Sequence, residues 1–184
     1  MKGVRHLATA YGALGLPTVF PARGPLIVMY HGLGGEDGVQ ATEFGLQLDL
    51  LSARRRVLPL REVIPLIGQE EARSVAAVTF DDGYRDFAEL ALPEIVERDL
   101  HATVFVPAGH VGAYNVWDHG IAPRRSILDA GELRRLDRAH VEVGAHGYSH
   151  CRLAGLSADQ LEHETRAARR TLEDTLGESI TLFA

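Results

Sequence analysis

Two pairs of residues stand out for their chemistry. Asp81 and Asp82 are adjacent in Thr79-Phe80-Asp81-Asp82-Gly83, and His146 and His150 stand four apart in His146-Gly147-Tyr148-Ser149-His150. Histidines at i and i+4 over one helical turn point the same way and can share a divalent metal ion. One carboxylate added to them completes the three-ligand set of a catalytic site that keeps a position open for water. The other carboxylate can serve as general base toward that water, and the sum is metal-assisted hydrolysis. Each half also has a plainer reading. Adjacent Asp residues at a strand end often form only a turn, with Gly83 supplying positive φ, and histidine pairs at this spacing arise by chance. His31, followed by Gly32, Gly34 and Gly35, is a third candidate or a surface loop residue. It is the combination, each segment directly following an apolar run, that favours chemistry.

Those apolar runs are the elements that must position the site. Leu26–Tyr30, Val75–Phe80, Ala102–Val106 and Val141–Ala145 read as short buried strands, and Ile180–Phe183 as the start of a fifth. Between them lie helical patterns. Ala41–Ser52 carries Phe44, Leu48 and Leu51 on one face. Arg61–Glu71 is helical apart from a break near Pro65, and Tyr84–Arg98 carries Phe87, Leu90, Ala91 and Ile95 with a break near Pro93. Asp129 with Glu132 forms a capping box, as does Ser157 with Gln160. The last helix then runs through Leu161, Ala168, Leu172 and Leu176 to a stop at Gly177. Fully apolar strands alternating with helices predict a parallel sheet covered on both faces. In such folds the chemistry sits at the C-terminal ends of the strands, where the Asp pair, the His pair and His31 all fall.

Composition excludes several function classes. Of 184 residues, 46% are hydrophobic and 24% charged, ordinary values for a globular domain that can bury its own core. A single cysteine, Cys151, excludes a disulfide framework and a CxxC metal site. A net charge of −6 argues against nucleic acid as a partner. No apolar stretch approaches the roughly 20 residues of a membrane span. Residues 1–24 read as a lead-in, with no cleavage site after the Leu7–Leu16 segment, so a cytoplasmic location is expected.

At these residues the sequence resembles the polysaccharide deacetylases, the NodB-homology domain. Thr79-Phe80-Asp81-Asp82-Gly83 and His146-x-x-x-His150 are similar to that family's first two motifs. Val28-Met29-Tyr30-His31 and Ala102–Pro107 resemble flanking strands, and the similarity spans residues 25–184. The resemblance implies an α/β fold, a distorted (β/α) barrel. It implies hydrolysis of N-acetyl groups on an N-acetylhexosamine-containing glycan. By motif position, Asp81 would be the base and Asp82, His146 and His150 the ligands of one divalent ion, commonly zinc. Gly147 stands where many members carry Ser or Thr. The family's later motifs, which supply an oxyanion donor and a general acid, would come after Ala184. The resemblance therefore reads the domain as incomplete at its C-terminus, with impaired turnover and open strand edges that invite self-association.

Trp117, Tyr84 and His31 are further candidates for contact with substrate, each with a plainer role as loop anchor, helix start or surface residue. Cys151 reads as a small packing residue, His163 as solvated surface, and Glu164 carries no assigned chemistry. Two other readings fit the motifs: a metal-binding pseudoenzyme or glycan-binding module, and a same-fold hydrolase of a non-glycan amide.

Overall fold

The computed structural model describes residues 24–35 and 38–184, so the segment from 1 to 23, nearly all of the expected lead-in, lies outside the described residues. Five strands form one parallel sheet: β1 (Leu26–Tyr30), β2 (Arg56–Val57), β3 (Val75–Phe80), β4 (Ala102–Val106) and β5 (Val141–Ala145). The order is β1-β3-β4-β5, with β2 paired to the start of β3. All four long strands fall where the apolar runs predict them.

Helices flank the sheet. These are α1 (Ala41–Ser52), α2 (Leu60–Val63), α3 (Leu92–Glu97), α4 (Ala130–Arg135), α5 (Ala158–Glu162) and α6 (Ala168–Leu176). Most lie on one face and α2 on the other. Every residue of β3 and β4 is buried. Alternation along the strands splits the core in two. Val78, Phe80, Val104 and Val106 join Phe44, Leu48, Phe87, Ile95, Leu133 and Leu172 under the helices. Val75, Ala77 and Phe105 form a smaller cluster with Leu60 and Val63 on the other face. The Asp129–Glu132 and Ser157–Gln160 capping boxes are both formed, and Gly177 ends α6 at φ +73.

Several expectations change. The Arg61–Glu71 helix is one turn of α-helix and short 3-10 turns on either side of Gly68, because Pro65 cannot donate to a continuing ladder. Ile180–Phe183 is extended but is no strand: only Phe183 bridges Ala145, whose N–H donates to Leu182 O and whose carbonyl accepts from Ala184 N. Among the described residues β1 is an edge, with Leu26, Ile27 and Met29 exposed, so their sheet is an open arc and not covered throughout. Leu161 is 38% exposed and leaves the apolar stripe of the last helix. The reason is a π turn at His163–Ala167 between α5 and α6. An extra residue in that turn rotates α5 by about 100° relative to α6. Among the described residues, no helix is long and apolar enough to cross a membrane.

Candidate active site

The site lies at the C-terminal ends of β1, β3 and β5. β3 is central, paired along its length by β1 and at its end by β4. The Asp81 N–H donates to Tyr30 O at 2.8 Å, which keeps Asp81 level with His31 across the β1–β3 register. The chain then turns through two left-handed residues, Asp82 at φ +68 and Gly83 at φ +59. Asp tolerates that region better than most residues. At Gly83 a Cβ would also come within 2.9 Å of Val106, so the turn demands glycine on two counts. Both aspartates are buried as a result.

The histidine pair is brought in differently. Residues 146–150 form a loop and not the helical turn that the i, i+4 spacing suggested. Gly147 sits at φ +72 and His150 at φ +56, and these two left-handed residues fold the loop so that both rings face Asp82. His150 Nε2 lies 3.0 Å and His146 Nε2 3.6 Å from the same oxygen, Asp82 Oδ1. His146 Nδ1 is 2.8 Å from Ala184 O. A carbonyl only accepts, so Nδ1 carries a proton and Nε2 is the ring nitrogen left to face Asp82.

This convergence is what a cation fits. Asp82 Oδ1 is buried and accepts no hydrogen bond. A buried carboxylate oxygen without a donor is costly unless an ion or proton meets it. Asp82, His146 and His150 each offer one ligand atom, all within 4.8 Å of one another. In the metal-free chain a proton answers the same need: Asp82 raises the His150 pKa above its ordinary value, although burial opposes this. Burial pushes the Asp82 carboxyl up, but the facing His150 and Tyr84 and the field of His146 outweigh it and leave it below the ordinary range.

Asp81 behaves in the opposite way. Burial raises its pKa, and the charges of His146 and His31 only partly offset the rise. Two adjacent carboxylates are thus pushed apart, one toward permanent charge and one toward proton exchange, the pattern of a ligand beside a base.

The structure also places the other sequence candidates. His31 is exposed on the rim beside Asp81, and the next-but-one residue, Leu33, is fixed by its N–H to Asp86 Oδ1 at 3.0 Å. Tyr84 is buried, its hydroxyl 3.4 Å from Asp118 Oδ2. Trp117 stacks on the His150 ring with centroids 4.0 Å apart, so one of its faces is already taken. Cys151 is exposed rather than packed, and it is not part of the three-residue metal group. His163 is exposed, with its ring 4.4 Å from that of Tyr148.

Glu164 is the residue that sequence reasoning passed over. It is buried, and its carboxylate accepts hydrogen bonds from the loop that carries the histidines. The signal was present: Glu164, Ala168 and Leu172 share an i, i+4, i+8 spacing, which puts an acid on the inward face of a helix.

A family model described as "Polysaccharide deacetylase" matches residues 68–184. The curated Bacillus subtilis (strain 168) protein YxkH, provisionally named a polysaccharide deacetylase, is 23% identical over 174 residues, covering 92% of this chain. The chain spans 58% of the length of that relative. Among solved structures, the Streptococcus pyogenes deacetylase PplD in complex with acetate matches with a TM-score of 0.72 and 22% identity, over 87% of this chain and 72% of that one. IcaB from Ammonifex degensii matches with a TM-score of 0.72 and 22% identity, over 88% and 73%. These likenesses show the fold, an α/β parallel sheet flanked by helices.

Proposed function

The chain belongs to the polysaccharide deacetylase family, and from that premise we propose that it is a metal-dependent hydrolase removing N-acetyl groups from an N-acetylhexosamine-containing glycan. The observation that carries this reading is the buried, unpartnered Asp82 Oδ1 facing two imidazole nitrogens, with Asp81 beside it. Asp82, His146 and His150 would hold one divalent ion, zinc in this reading. Bound there, it would supply Lewis acidity to the acetyl carbonyl and acidify a water.

The remaining chemistry belongs to side chains of this chain. Asp81, raised by burial toward the working range, removes a proton from the water as its oxygen bonds to the acetyl carbon. The carbon–nitrogen bond then breaks, and the sugar nitrogen must gain a proton to leave as a neutral amine. We assign that proton to His31, which follows β1 and by the strand register lies level with Asp81. Acetate and a free amino sugar are the products.

The His31 side of the site is open to solvent, which weakens every electrostatic contribution there. Slow turnover by these 184 residues is therefore expected. The exposed β1 edge is expected to pair between copies as concentration rises. Light scattering of an Ile27→Lys variant tests this, and unchanged association would count against it.

The test of function is acetate release from an N-acetylated chito-oligosaccharide by the zinc-supplemented chain. Asp81→Asn should retain zinc and lose about 10²–10⁴ in rate, the usual cost of a missing general base. Acetate release that survives this substitution or thorough chelation contradicts the proposal.

A further inference from the structure

Glu164 is a buried carboxylate with no cationic partner among the described residues. Its helical neighbours Arg166 and Arg169 pair with Glu162 and Glu173. Its own partners are all in the histidine loop. Oε2 accepts from the Tyr148 N–H at 2.8 Å and the Ser149 N–H at 2.9 Å, and Oε1 accepts from the Ser149 hydroxyl at 2.6 Å. These three donors lie strictly between the two histidines that face Asp82. Glu164 shares the inward face of Ala168 and Leu172, while the π turn at His163–Ala167 turns Leu161 outward.

The loop needs such a hold. It has left-handed residues at Gly147 and His150, and a non-glycine residue in that region is strained. It leaves β5, the last strand in the sheet order, whose end is paired outward only by the segment 182–184. On the β4 side the loop is tied through its backbone, with His146 N donating to Val106 O at 3.0 Å, Gly147 O accepting from Ala108 N at 3.0 Å and Tyr148 O from Gly109 N at 2.8 Å. Gly147 itself is shaped by the carboxylate: a Cβ there would come within 3.2 Å of Glu164 Oε2.

We infer that Glu164 is a positioning residue whose carboxylate clamps the Tyr148–Ser149 backbone and so sets the convergence of His146 and His150 on a metal ion. The inference rests on the metal reading of the site given above. It extends that reading to a residue on another element that touches neither metal ligand. Burial opposes the charge of Glu164, but the Ser149 and Tyr148 hydrogen bonds prevail and hold its pKa below the ordinary value, so the clamp is a carboxylate at neutral pH. An amide serves less well: a Gln oxygen can still accept from the two N–H groups and its NH₂ can donate to the Ser149 hydroxyl, but the charge that strengthens all three bonds is gone.

The experiment measures zinc affinity of the full chain by competition with a chromophoric chelator, alongside far-UV circular dichroism and thermal unfolding of the metal-free form. Glu164→Gln should weaken zinc binding by about 10–100-fold, the usual cost of losing a group that orients metal ligands. Ser149→Ala, at an exposed position, removes one of the three bonds and should weaken binding several-fold with the fold intact. Glu164→Asp, which keeps the charge, should recover part of the loss. Wild-type zinc affinity in a folded Glu164→Gln chain, whatever its melting temperature, would overturn the inference. Should that variant not fold, unchanged affinity in Ser149→Ala overturns it instead. A wild-type chain that takes up no zinc would overturn the metal reading itself, an outcome distinct from either.

Discussion

The two halves of the site reach the same point by different means. The Asp81–Gly83 turn leaves β3, the central strand, and its position is set by the sheet: Tyr30 O holds Asp81, and Val106 packs under Gly83. The His146–His150 loop leaves β5, the last strand in the sheet order, and is held by a carboxylate from a helix and by the Trp117 ring against His150. A ligand on a central strand shares the rigidity of the core. A ligand on a loop from the last strand needs dedicated side chains. Damage to the first should therefore appear as lost stability, and damage to the second as lost metal affinity in a folded chain.

Phe80→Ala breaks the Asp side most severely. Phe80 is fully buried and packs on Tyr30, Phe44 and Phe87 at ring centroids of 5.2, 5.6 and 4.9 Å. Truncation should cost about 3–5 kcal/mol in urea unfolding, a large part of a typical domain's stability. A loss below about 1 kcal/mol would show that the Asp side does not depend on the core in this way.

On the His side, Trp117→Ala should lower zinc affinity by about 2–10-fold, the scale of one aromatic stacking contact, with little change in unfolding. If stability falls and zinc binding does not, the ring is a structural anchor and the contrast between the two regions weakens.

The smallest effect is a pH dependence. Glu164 has a folded pKa below its ordinary 4.5, so the unfolded chain binds more protons as pH falls. Its stabilising contribution is complete above pH ~4.5 and disappears as pH drops through the folded value. The stability gap between the metal-free wild type and Glu164→Gln should therefore be flat from about pH 5 to 7 and shrink toward acid. A gap that widens toward acid has the wrong sign for this account.

What could be read from the sequence divides along the same line. β3 and β4 were legible because full burial demands nearly unbroken apolar runs, β5 because Glu142 alone interrupts its run, and both capping boxes because they are local. Asp81 and Asp82 were legible because they come directly after such a run. The histidine loop was found by residue type but read with the wrong backbone, since i, i+4 spacing does not separate a helical turn from a loop folded at Gly147 and His150. Glu164 shares the inward spacing of Ala168 and Leu172 but was passed over because an acid is not an expected core residue, while Leu161, an expected one, is turned outward by the π turn. Ile180–Phe183 has strand-like residues yet makes one bridge, because pairing depends on a neighbour and not on composition.

The central claim is that Asp82, His146 and His150 converge to hold one metal ion while Asp81 is left free. Isothermal titration of the chelator-treated chain with zinc tests it most directly, carried out on the wild type, Asp82→Ala and Asp81→Asn. The account predicts about one ion per chain for the wild type and for Asp81→Asn, and no specific uptake by a folded Asp82→Ala. No uptake by the wild type, or equal loss in the two aspartate variants, would contradict it.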